Sequence, residues 1–170
     1  SRWNLRLHFI QEGPVPLETG GGMLNALPLL GDAPFIAVNG DIWTDFDFAR
    51  LPARPEGLAH LVLVDNPEHH PHGDFILDGN GRVHDQGTQP RLTFSGVGLY
   101  APALLRDWQQ VIGEDDGSTQ RPPRFKLAPL LRAAMARGLV TGQHHRGHWT
   151  DVGTPQRLHQ LELQLRGENA

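Results

Sequence analysis

Cysteine is absent from the 170 residues, which excludes disulfides, thiolate metal sites and thiol nucleophiles and leaves the redox compartment unmarked. No apolar run approaches the roughly 18 residues of a membrane span. Positive charge is not in excess either. Fifteen Lys and Arg against nineteen Asp and Glu give a net charge of −4, which argues against the basic face of a nucleic-acid binder. An initiating methionine is missing, and SRWNLRLHFI at the start lacks the continuous apolar stretch and small-residue cleavage site of a signal peptide. The chain therefore reads as a fragment of a cytoplasmic protein. It has no internal repeat, low-complexity tract or domain boundary. With 38% hydrophobic and 20% charged residues, it has the composition of one globular domain with a real core, spanning residues 1–170.

The apolar residues are patterned. Leu5, Leu7 and Phe9 alternate with polar residues and predict a strand over 5–10. Met23 to Leu30 predicts a short helix. APFIAVNGD and LAHLVLVDN are continuous apolar runs ending in polar residues, the pattern of buried parallel strands whose carboxyl ends meet solvent. Gly79-Asn80-Gly81 between short apolar stretches predicts a β-hairpin. RLTFSGVGLY predicts a strand over 91–100, with Pro102 opening a helix. Segment 113–124 reads as a polar loop. Leu127, Leu130, Leu131, Ala134 and Met135 have helical spacing, and Gly138 ends that helix. Residues 139–153 read as strand and turn. Thr154-Pro155 caps a last amphipathic helix carrying Leu158, Leu161 and Leu165. Strands alternating with helices around an inserted hairpin imply an α/β fold with a mostly parallel sheet.

Ligands of open α/β sheets sit beyond the carboxyl ends of the strands, and three polar clusters fall there. PLETGGG, Pro16 to Gly22, carries three consecutive glycines. Each glycine loses more conformational entropy on folding than any other residue, so the run needs either an unusual turn or a close approach to a ligand. Asn39-Gly40-Asp41 closes the most buried strand; Asp41 there is either a turn cap or a ligand for a hard cation such as Mg2+, which takes one or two carboxylates plus phosphate oxygens. WTDVGT, residues 149–154, offers Asp151 as a second ligand or a turn residue. The histidine clusters HHPHGD and HHRGHW read as solvated loops, because Pro71 splays the first and no second cluster is placed near it.

PLETGGG, FIAVNGD, FSGVGLY, FKLAPLL and HWTDVGTP, in this order over nearly the whole chain, resemble the sugar-1-phosphate nucleotidylyltransferases. The likeness is above all to N-acetylmuramate-1-phosphate uridylyltransferases, with mannose-1-phosphate guanylyltransferases as near relatives. The resemblance implies a three-layer α/β/α sandwich of Rossmann-like, nucleotide-diphospho-sugar transferase type. It implies Mg2+-dependent transfer from a nucleoside triphosphate, UTP, to a sugar 1-phosphate, N-acetylmuramate 1-phosphate, and so a role in peptidoglycan recycling. Carried over by motif, Gly20 and Gly21 contact the nucleotide, with Gln11, Thr19 and Asn39 at the same edge. Asp41 and Asp151 hold Mg2+. Gly73, Asp74, Ser95 and Lys126 line the sugar-phosphate pocket, with the Lys126 ammonium on the phosphate.

One departure stands out. The family begins with a strand and a glycine-rich phosphate loop followed by an Arg and a Lys, and nothing here matches that signature. The first βα units are therefore expected to be missing and the chain alone to be inactive. Two other readings stay open: a nucleotide-sugar glycosyltransferase holding its metal through Asp45 and Asp47 of a D-x-D, and a non-catalytic regulatory domain that binds a sugar nucleotide.

Overall fold

In the computed structural model, residues 5–114 and 117–167 are described. The organising element is β3 (Ala59–Val64). All of its residues except His60 are buried, as the continuous apolar run requires of a strand covered on both faces. It pairs antiparallel with β6 (Arg91–Tyr100) and parallel with β7 (Val140–His145). On its far edge β6 carries β1 (Phe35–Val38) at its carboxyl half and β4 (Phe75–Leu77) at its amino half, both antiparallel. β4 continues to β5 (Val83–His84) through the expected hairpin. Its turn is tied by the Asp78 carboxylate, which accepts from the N–H groups of Asn80 and Arg82 at 2.8 and 2.9 Å. Strands β1, β3 and β7 thus share one direction, with β6 running against them, and the sheet is mixed.

Helices α1 (Glu18–Leu30), α2 (Trp108–Ile112) and α3 (Ala128–Ala136) cover one face. Met23, Trp108, Leu130, Leu131 and Ala134 pack there against Ala59, Leu61, Leu63 and Tyr100. On the opposite face Val62 and Val97 meet Phe46, with Ile42 and Leu51 at the margin. β2 (Ile42–Thr44) leads into that cover and forms a two-stranded ribbon with β8 (Trp149–Asp151). α4 (Pro155–Arg166) follows, started by Thr154, whose hydroxyl accepts from the Arg157 N–H, and by Pro155 in its first turn.

Three expectations fail. The strand ending at Asn39-Gly40-Asp41 is not the most buried one, since β1 leaves Ile36 and Val38 exposed and pairs on one side only among the described residues. Residues 5–10 form no strand, and Leu5, Leu7 and Phe9 are exposed. Alternation supplies one apolar face, but a strand also needs a paired edge and a layer to cover that face. The glycine run is not a loop. All three glycines lie inside α1, which begins five residues before Met23.

Candidate functional site

The bare backbone of the glycine run is used by the chain itself. A Cβ on Gly20 would lie 2.6 Å from the Phe125 ring, and one on Gly21 would lie 2.4 Å from the Pro123 carbonyl oxygen. The Gly21 N–H donates to the Phe125 carbonyl at 3.0 Å. Phe125 in turn stacks on Trp108, with ring centroids 4.8 Å apart. Gly20 and Gly21 are buried under segment 123–125, whereas Thr19 and Gln11 are exposed. The helix opens under constraint: Glu18 has a φ of +62°, a left-handed conformation that non-glycine residues rarely adopt.

The two aspartates are brought together. Asn39-Gly40-Asp41 turns the chain from the end of β1 into β2, and β2 lies beside β8 with Ile42 opposite Asp151. The Val152 N–H donates to the Asp41 carbonyl at 2.7 Å. Asp41 and Asp151 line one cavity of about 290 Å³, together with Asn39, His69, His70 and Trp149. The ribbon is pinned to the sheet by the Trp149 indole, which donates from Nε1 to the Ser95 carbonyl at 2.8 Å.

Ser95 lines the same cavity, but its hydroxyl is already committed. It donates to the Val62 carbonyl at 2.8 Å and accepts from the Val97 N–H at 3.1 Å. These bonds bridge the point where β6 shifts register against β3. Gly96 follows with a φ of +82°, and a Cβ there would come within 2.9 Å of the Asn39 side chain. A glycine inside a strand pattern marks such an irregularity, and this one sets Asn39 at the cavity.

Gly73 and Asp74 organise the loop above. Gly73 has a φ of +60° and leaves no room for a Cβ beside Asn66 Oδ1. The Asp74 carboxylate accepts from the Phe94 N–H at 2.8 Å and lies 3.2 Å from His70 Nε2. The HHPHGD loop is therefore not simply solvated: it sets His69 and His70 at the cavity, with His69 Nε2 3.3 Å from Asp151 Oδ1. Proline in the motif hid this, because the loop's shape depends on the distant β6 backbone.

Lys126, the only lysine in the chain, is not brought to the aspartates. It lines a separate cavity of about 420 Å³ with Glu18, Arg124, Phe125 and Pro129. Asp45 and Asp47 are engaged elsewhere. The His148 backbone and the His145 imidazole, 2.8 Å away, hold the Asp45 carboxyl below its ordinary value. Asp47 caps a helical turn by accepting from the Ala49 N–H at 3.0 Å.

Asp151 is packed against a cation. Arg157 Nε lies 2.9 Å from its Oδ1, yet both atoms are shut off from solvent and neither makes a hydrogen bond. A buried carboxylate oxygen without a hydrogen bond, lining one cavity with a second carboxylate, belongs to a donor set that fits a hard cation such as Mg2+.

No protein-family model matches the chain. An N-acetylmuramate alpha-1-phosphate uridylyltransferase of Neisseria meningitidis serogroup B is 43% identical over 169 residues, covering 95% of this chain and 68% of that protein. One from Caulobacter vibrioides is 34% identical over 172 residues, covering 94% and 66%. The fold is similar to HddC from Yersinia pseudotuberculosis, with a TM-score of 0.63, 17% identity, and 89% and 64% of the two chains covered. It is also similar to the inositol-1-phosphate CTP transferase from T. maritima, with a TM-score of 0.60, 14% identity, and coverage of 89% and 62%. The chain thus spans about two thirds of the length of these proteins.

Proposed function

The chain belongs to the sugar-1-phosphate nucleotidylyltransferase family, and from that premise we propose that it carries the metal- and sugar-phosphate-binding part of an enzyme transferring UMP from UTP to N-acetylmuramate 1-phosphate. The names of the two curated relatives support this nucleotide and this acceptor. The observation that carries the reading is the convergence of Asp41 and Asp151 on one cavity. The product, UDP-N-acetylmuramate, is a cell-wall precursor, in keeping with peptidoglycan recycling.

In the reaction an oxygen of the sugar phosphate attacks the α-phosphorus of UTP in line. A P–O bond forms there as the bond to the β-phosphate breaks, and pyrophosphate leaves. Positioning and electrostatics suffice, and no protein nucleophile is required. Asp41 and Asp151 are the residues that would hold Mg2+. The ion would supply positive charge against the phosphate oxygens. Trp149 and Phe94 wall the cavity, and Asn39 lines it with an amide. Asp45 and Asp47, engaged with His145 and Ala49, leave little support for a glycosyltransferase D-x-D.

Within these 170 residues nothing matches the glycine-rich phosphate loop, so the chain by itself is expected to release no pyrophosphate from UTP. The test is pyrophosphate release from UTP and N-acetylmuramate 1-phosphate by the longest natural form of the protein. Asp41→Asn and Asp151→Asn should each lower kcat by about 10²- to 10³-fold, the usual cost of a group that stabilises transition-state charge. Full activity in both variants would remove the reading.

A further inference from the structure

Arg157 is a cation that the motifs do not single out. It sits in the first turn of α4, where the Thr154 hydroxyl accepts from its N–H at 3.3 Å, so the helix cap fixes the root of the side chain. From there the guanidinium turns back to Asp151, with Nε 2.9 Å from Oδ1. Gly153 borders both the guanidinium and Asp41. A Cβ built on Gly153 would lie 3.3 Å from Arg157 Nη2 and 3.4 Å from Asp41 Oδ2. A side chain at Gly153 would crowd both groups. His69 approaches the same Asp151 oxygen from the HHPHGD loop, at 3.3 Å.

This contact is incomplete. Arg157 Nε and Asp151 Oδ1 have lost hydration, and neither has gained a hydrogen bond. Such a pair keeps its Coulomb attraction but not the directed bond that usually offsets desolvation. Each member has a better partner by its chemistry: a divalent cation for the carboxylate, and a phosphate for the planar guanidinium fork. Lys126, expected on the phosphate, lines another cavity, which leaves that role at the aspartates open.

The geometry points to Arg157 as a two-state positioning residue: it neutralises Asp151 beside Asp41 when no metal ion is bound, and moves from Asp151 Oδ1 to the phosphate of the sugar 1-phosphate once that oxygen is given to a divalent cation. The inference rests on the metal reading above and adds the group that receives the acceptor's phosphate.

Mn2+ binding, followed by the EPR signal of the free ion, tests it on the 170-residue chain, alone and then with N-acetylmuramate 1-phosphate. Arg157→Gln removes a competing charge and should tighten Mn2+ alone by about three- to tenfold. In the same variant the further tightening of Mn2+ by the sugar phosphate should fall by about tenfold or more. Arg157→Lys keeps the charge without the fork; it should bind Mn2+ alone as the wild type does and still lose most of the phosphate effect. A merely structural arginine would weaken both measurements together. The assignment is overturned if Mn2+ alone does not tighten in Arg157→Gln, or if the phosphate effect survives there or is absent from the wild type. Asp151→Asn separates this from the parent reading. If that variant binds Mn2+ as the wild type does, the metal site itself is removed, and the inference with it.

Discussion

His60 shows how one residue can set a pH dependence far from the chemistry. It is the half-buried member of β3, with Nδ1 hydrogen bonded to the Thr141 hydroxyl at 2.8 Å and Nε2 3.3 Å from Gln143 Oε1 on β7. Burial lowers its pKa from 6.5, with the Gln143 bond opposing that shift. A folded-state pKa below the unfolded one means the folded chain favours the neutral ring. The associated stability is present above pH 6.5 and is lost as the pH falls through the lower folded value. Thermal midpoints measured from pH 7.5 down to 5 should therefore decline less in His60→Gln than in the wild type. The comparison is one of differences, because the two proteins share every other titratable group. Parallel declines would show that His60 is not a source of acid sensitivity.

Among the elements, α1 makes the clearest demand on sequence. Its glycines let segment 123–125 lie against the helix, and the Phe125–Trp108 stack fixes that segment to α2. Gly21→Ala would place a methyl group 2.4 Å from a backbone carbonyl, which flexible side chains cannot relieve. It should destabilise the fold by about 1–3 kcal/mol, as overpacking does, read as a lower midpoint in urea. A variant as stable as the wild type would mean that the segment moves aside freely. The same element shows where sequence reading stops. β3, β6, the hairpin, α3 and α4 were legible because periodicity, turn glycines and the Thr154-Pro155 cap are local signals. The glycine run pointed to a close approach, but its partner, Pro123 and Phe125, lies about a hundred positions away. Residues 5–10 had the right alternation, and the sequence could not report whether a strand edge was there to meet them.

At the scale of the whole molecule, the site is assembled by pairings that no single stretch contains. Asp41 and Asp151 were legible as candidates because each lies in a polar cluster at the carboxyl end of a strand. Their meeting depends on the β2–β8 ribbon and on the Trp149–Ser95 bond. Gly73, Asp74 and Ser95 belong to the same neighbourhood but serve its framework, through bonds to the backbones of Phe94, Val62 and Val97. Arg157 was invisible in the motif, since an arginine in a helix's first turn normally faces solvent. Apolar side chains stay exposed at Leu5, Leu7, Phe9, Leu29, Ile36 and Val38. Among the described residues β1 pairs only with β6, and no helix is long and apolar enough to cross a membrane.

The proposed function requires Asp41 and Asp151 to form one cation site. Anomalous diffraction from crystals of the chain soaked in MnCl2 tests it without reliance on turnover. One strong manganese peak is expected in the cavity walled by Trp149 and His69, with an oxygen of each aspartate in its first coordination sphere, at about the 2.0–2.1 Å that a Mg2+ site requires or slightly beyond. A peak held by other residues, or a cavity without manganese at saturating metal, would contradict it.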